Sequence, residues 1–144
     1  MGFKFEKLEV WQLAIEYLDS VYGIAEQLPR SEEYNLKSQI VRAATSVALN
    51  IAEGSTSQSD AEQGRFLGMA IRSLIETVAC LHVIERRKYV EARLLREAYP
   101  FTEKLFAKLQ AFRGSLTVDG RQPTAVRSIR EETELYESNS KIPL

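Results

Sequence analysis

Gln39, Arg42, Ser46, Asn50 and Glu53 recur at steps of three or four along a stretch otherwise rich in small apolar residues. Glu62, Ser73 and Glu76 are distributed in a similar way further on. On helices such spacing gathers side chains toward one side. There they can line a ligand pocket inside a bundle, or hydrogen-bond to one another and fix the register of packed helices. Catalysis asks for more. A serine nucleophile needs an adjacent base, and His82 is the only histidine, so Ser46 and Ser73 have no evident activator. A di-iron carboxylate bundle needs paired Glu-x-x-His motifs, and the residue three before His82 is Ala79. Cys80 lies among Val78, Ala79 and Leu81. Its neighbour His82 is two residues on and faces another way on a helix, so a packed thiol is expected. These residues therefore read as a structural polar network, with no catalytic set, metal or cofactor.

Cations offer a different chemistry. Arg86, Arg87 and Lys88 stand together with Tyr89 beside them, and Arg65 and Arg72 precede them. At a helix end cations complement the helix dipole, which is a sufficient structural role. Repeated around an oligomer, the same residues would form a positive ring, with Tyr89 available to stack on a base. The net charge is −1, so nucleic-acid binding would have to rest on such a local patch.

Four helical segments must position these groups. Trp11, Ala14, Leu18, Val21, Ala25 and Leu28 draw a stripe along a helix from about Lys7 to Gln27, closed by Pro29. Leu36, Ile40, Ala43, Val47 and Ile51 draw the second, with Ser31 as a nearby N-cap and Gly54 as a left-handed stop. Ser59 and Glu62 form a capping box for a third segment, Asp60 to Arg87. The fourth runs from about Glu91 to Arg113, and Pro100 should kink or divide it near Tyr99. No strand pattern occurs. The fold expected is all-α: an antiparallel up-down-up-down four-helix bundle over residues 1–116. Residues 117–144 read as a mobile tail, with a short helix at 125–137. Val10, Leu13 and Tyr17 on the first segment and Leu95, Tyr99 and Phe106 on the fourth exceed what one neighbouring helix covers. They are expected to be exposed on a single bundle and to form an oligomer interface. No apolar run of about 18 residues and no secretory signal is evident, which points to the cytoplasm and away from a membrane.

Phe5-Glu6-Lys7-Leu8, Val10-Trp11-Gln12, Leu28-Pro29, Ser38-Gln39-Ile40, Arg42-Ala43-Ala44, Asn50-Ile51-Ala52-Glu53-Gly54, Arg65-Phe66-Leu67 and Ser73-Leu74 carry a resemblance over Phe5 to about Tyr89. Together they resemble the four-helix-bundle proteins encoded within intervening sequences of bacterial large-subunit ribosomal RNA, the S23-type family. That family is related in fold to accessory proteins of diversity-generating retroelements. The resemblance implies a bacterial, non-enzymatic homo-oligomeric scaffold, a ring of five, whose partner is RNA, DNA or a nucleic-acid-processing protein such as a reverse transcriptase. It also implies a basic run just past Gly54, where this chain has Ser57, Gln58, Ser59, Asp60 and Ala61. The alternative is a protein-interaction module that binds no nucleic acid and holds its partner through the C-terminal tail.

Overall fold

The computed structural model describes residues 2–116; the tail and its candidate helix at 125–137 lie outside them. Among the described residues the regular elements are α1 (Glu9–Glu26), α2 (Leu36–Gly54), α3 (Asp60–Arg87) and α4 (Ala92–Ser115), with 3-10 turns at Lys4–Lys7 and Arg30–Glu32. Each helix packs against its neighbours in ring order, α1 on α2, α2 on α3, α3 on α4 and α4 on α1, with α2 on α3 the most extensive pairing. The direction of each helix alternates. Gly54 at the end of α2 meets Phe66 near the start of α3. Lys108 late in α4 reaches Glu9 at the start of α1, 3.3 Å away.

The local chemistry explains the ends. Ser31 does not cap α2. Glu32 does that work from the 3-10 turn, its Oε2 accepting from the Leu36 backbone N–H at 3.4 Å and from Asn35 Nδ2 at 2.9 Å. Gly54 is not a left-handed stop either. It keeps a helical backbone, and so does Ser55 after it (φ −67°, ψ −17°). The last carbonyls of α2 are taken up by backbone N–H groups of the following turn and by hydroxyls, Ser55 Oγ donating to Ala52 O and Thr56 Oγ1 to Glu53 O, each at 2.7 Å. What Gly54 supplies is room. A Cβ there would lie 2.8 Å from Phe66 Cβ, so glycine lets α2 and α3 close on each other. Ser59 does cap α3, its Oγ accepting from the Glu62 N–H at 3.1 Å, while Glu62 Oε2 accepts from the Gln58 N–H at 3.4 Å. Among the described residues Lys88 is left-handed (φ 56°, ψ 40°), and it ends α3. Pro100 does not divide α4, which runs unbroken through it. Pro100 and Arg96 are both exposed, so water can serve the carbonyl that the missing N–H leaves.

Ile40, Leu67, Leu74, Leu81, Leu105 and Leu109 are fully buried at the centre of the bundle. Burial of each such side chain contributes about 1.5–3 kcal/mol before the entropy of ordering is subtracted. At the N-terminus Phe5 meets Trp11 edge-on, ring centres 4.6 Å apart, which docks the first 3-10 turn on α1.

The proposed interface residues have to be corrected. Val10, Leu13, Tyr17, Leu95 and Phe106 are buried within a single chain, Tyr17 completely, and Tyr99 is half-buried with its hydroxyl donating to Glu85 Oε2 at 2.7 Å. Each helix of a closed bundle has two neighbours as well as the central core to cover, and this accounts for the wide stripes. The large apolar side chains that stay exposed include Ile15, Tyr22, Leu49, Met69 and Val83.

The expectation about membrane-spanning length also changes. By length and composition alone α3 could cross a bilayer, its best window having a mean hydropathy of 1.6. Leu67, Ala70, Ile71, Leu74 and Leu81, which contribute much of that hydropathy, are committed to the bundle core.

Candidate interaction face

Leu67, Leu74 and Leu81 face the core at seven-residue spacing, so the opposite side of α3 must face outward. That outer side carries Glu62, Arg65, Met69, Arg72, Glu76, Ala79, Val83 and Arg86, alternating at steps of three and four, and every one is exposed. The line is roughly 36 Å long at 1.5 Å per residue. Arg72 and Glu76 are four apart on one helix, yet among the described residues neither makes an ion pair, and nor does Arg86. Arg65 lies with its guanidinium 5.7 Å from the Phe66 ring centre.

Along one flank of this line runs the seam between α2 and α3. Ser46 and Ser73 hydroxyls are 2.9 Å apart there, and Asn50 Nδ2 donates to Ser46 O at 2.9 Å and to Ser46 Oγ at 3.0 Å. These three residues are half-buried and joined. Gln39, Arg42, Glu53, Glu62 and Glu76 are exposed and take no part in that cluster. The polar set therefore lies at the surface of the bundle and not within it.

Inside the bundle is a polar node that pattern reading missed. Tyr17 OH lies 2.7 Å from Thr77 Oγ1 and 3.2 Å from Thr102 Oγ1, so α1 is joined to α3 diagonally and to α4 beside it. Thr77 donates to Leu74 O, which leaves the Tyr17 proton for Thr77, while Thr102 shares its proton between Ala98 O and Tyr17 OH. Burial pushes the Tyr17 hydroxyl above its ordinary 10.0, against the pull of the bonds to Thr102 and Thr77. The available signal was a tyrosine on the apolar stripe, because a buried hydroxyl needs a partner. The partnering threonines gave none, since Thr occurs freely in helices.

Arg86, Arg87 and Lys88 are exposed at the end of α3, as are Arg65 and Arg72 along it. Tyr89 is differently placed from the free stacking platform expected. It is half-buried, with the Arg87 guanidinium 5.6 Å from its ring centre, Arg87 Nε donating to its hydroxyl at 3.3 Å, and that hydroxyl donating to Glu32 Oε1 at 3.4 Å. Arg87 thereby holds its proton more firmly than usual, through the hydrogen bond to Tyr89. Glu32 links the start of α2 to the end of α3, a role its sequence position gave no sign of.

Cys80 is a buried free thiol, raised above its ordinary 9.0 by burial and then by Glu76. His82 is half-buried, its ring centre 5.3 Å from that of Tyr99, and its Nδ1 has no hydrogen-bond partner among the described residues. No three His, Cys, Asp or Glu side chains converge among the described residues. An open cleft at the other end of the bundle is lined by Phe3, Lys4, Phe5, Ala52, Glu53 and Ser55.

These features define an antiparallel four-helix bundle whose unspent polarity lies on an outer face. The chain matches the family described as 23S rRNA-intervening sequence protein over residues 6–111, and it belongs to that family. The match takes in most of α4, beyond the Tyr89 limit of the sequence resemblance. A similar fold is seen in a crystal structure from Bacteroides thetaiotaomicron VPI-5482, a protein with unknown function from the S23 ribosomal protein family. The two are 21% identical, the likeness covers 74% of this chain and 99% of that one, and the TM-score is 0.68. No functionally curated protein matches the chain.

Proposed function

We propose that this protein is a non-enzymatic, cytoplasmic scaffold that works by docking: it assembles with copies of itself and holds a macromolecular partner on its surface. The observation that carries this reading is the outer line of α3, an uninterrupted exposed row in which Arg72, Glu76 and Arg86 have no ion-pair partner among the described residues. Uncompensated charge beside exposed Met69 and Val83 suits a contact surface better than a reaction centre. Family membership favours RNA, DNA or a nucleic-acid-processing protein such as a reverse transcriptase as the partner, and a ring of five as the assembly. The nucleic-acid contacts would be Arg65, Arg72, Arg86, Arg87 and Lys88, with Tyr89 holding Arg87 in place.

A second reading, a protein-interaction module without nucleic acid, is favoured by the acids and apolar residues interleaved with those arginines. Phosphate contacts are strongly salt-dependent, so fluorescence anisotropy with labelled RNA and DNA between 50 and 200 mM salt separates the two. Affinity that falls steeply with salt, and falls further in an Arg87→Gln/Lys88→Gln double variant, supports nucleic acid. The absence of salt-sensitive affinity for either polymer leaves protein contact as the function.

A further inference from the structure

The face between α1 and α2 differs from the rest of the surface in its lack of charge. Ile15, Leu18 and Tyr22 on α1, and Val41, Thr45 and Leu49 on α2, recur at steps of three and four, so each set lies on one side of its helix. The first 3-10 turn shows that these sides border the same face. Its Phe5 meets Trp11, one step below Ile15, and lines the cleft that also takes in Ala52, one step beyond Leu49. The turn covers the lower end of the face. Above it Ile15, Tyr22 and Leu49 stay 36%, 46% and 53% exposed. A contiguous apolar patch of this kind calls for a cover.

A second copy fits it poorly. The outer line of α3 carries Glu62, Arg65, Arg72, Glu76 and Arg86, and α4 exposes Arg96, Glu103 and Lys104, so an apolar face laid on either would bury charge without a partner. Laid on itself it would make two-fold pairs, which a single ring of five does not contain. The chain's own continuation fits better. Ile129, Thr133 and Tyr136, with Val126 before them, repeat at the same steps of three and four, and on a helix Arg127, Glu131 and Glu134 would fall opposite them. From Ile129 to Tyr136 such a helix covers about 11 Å, the same as α1 from Ile15 to Tyr22. Leu116 ends the described residues beside Gly64 in the first turns of α3, at the end of the bundle where the 3-10 turn lies. From there residues 117–128 reach up to about 40 Å, against roughly 20 Å across two packed helices. A segment entering from that end runs alongside α1 and against the direction of α2. Its basic part, Arg127 and Arg130, then comes toward Glu53, and its acidic part, Glu134 and Glu137, toward Arg42. Glu53 and Arg42 are exposed, and neither makes an ion pair among the described residues.

We infer that residues 125–137 of this chain fold back as a fifth helix on the uncharged face between α1 and α2, with Ile129 and Tyr136 set against Ile15, Leu18, Tyr22 and Leu49. The family match ends at residue 111, so this cover lies outside what the family describes. It leaves the outer line of α3 open and fixes no number of chains. It therefore stands or falls separately from the proposed function.

Photo-crosslinking on the full chain tests this, with p-benzoylphenylalanine in place of Tyr22, an exposed position where the probe leaves the core intact. Irradiation followed by peptide mapping should link position 22 to residues 125–137 of the same chain. The linked product should run at the monomer mass of 16.4 kDa under denaturing conditions, in a yield unchanged by dilution. An Ile129→Asp/Tyr136→Asp double variant in the same background removes two apolar anchors and should lower that yield roughly 10-fold. The same probe at Met69, on the outer line of α3, should give no link to the segment. Links between chains, whether to the segment or to the helices of another copy, overturn the inference, and so does the absence of any peptide link at position 22. A yield that the double variant leaves unchanged, or that Met69 matches, shows chance encounters of a tethered chain and overturns it as well.

Discussion

Tyr17 is buried completely and still keeps its hydroxyl satisfied, because Thr77 and Thr102 arrive from two other helices. Both threonines also hold carbonyls of their own helices, so Tyr17→Phe strands no donor and should cost only about 1 kcal/mol in urea unfolding. Thr77→Val removes the same bond from its other side. The double variant should therefore lose less than the sum of the two single losses, and strict additivity would show that the node is not one unit. The same burial sets a pH limit. Cys80 and Tyr17 are both raised above their ordinary values of 9.0 and 10.0, so the fold holds them neutral while the unfolded chain ionises. The stability they give is complete below the unfolded values and is lost as pH climbs past them. The urea midpoint should be flat through neutral pH and fall above about pH 9, with Cys80→Ala removing the earlier part of that fall and Tyr17→Phe the later.

At the level of the elements, α2 and α3 are joined most tightly where Gly54 meets Phe66. Gly54→Ala adds a methyl 2.8 Å from Phe66 Cβ, and overpacking of that kind costs about 1–3 kcal/mol, more than the helix propensity gained. Phe66→Ala should not rescue it, since alanine keeps the offending Cβ; only Phe66→Gly removes the contact, which thermal melts of the double variants can check. Pro100 is a second element-level feature. In exposed mid-helix it withholds an N–H, so Pro100→Ala should raise the melting temperature by several degrees, a gain of about 1–3 kcal/mol. The helices themselves were legible in the sequence because apolar periodicity runs along each of them, and Ser59 declared the start of α3. Their ends were less legible. The Glu32 cap acts across four residues from a 3-10 turn, and the closeness of Gly54 to Phe66 is a tertiary fact that local pattern does not carry.

Across the whole molecule, the all-helical class and the ring order followed from four stripes joined by short connections. The wide stripes on α1 and α4 misled at this scale. Val10, Tyr17, Leu95 and Phe106 were counted against one neighbouring helix, whereas a closed bundle covers each helix from several directions. The polar residues on α2 misled in the opposite sense. Periodicity gathers them on one side, but it does not say whether that side faces in or out. Only the packing shows that Ser46, Asn50 and Ser73 share a seam while Arg42 and Glu53 point away from it. The outer line of α3 was hidden for the same reason, because its members read singly as cations, an acid and scattered apolar residues.

Trp11 is the only tryptophan in the chain, and it is half-buried against Phe5 of the first 3-10 turn rather than in the core. Its fluorescence is therefore a private signal from the amino-terminal strap. In a denaturant titration the emission should shift ahead of the far-ultraviolet ellipticity if the strap lifts before the helices part, and Phe5→Ala should red-shift the emission of the folded protein while leaving the ellipticity transition in place. An unfolding curve taken from tryptophan light alone would then report the peeling of a dozen residues and mistake it for the melting of the whole.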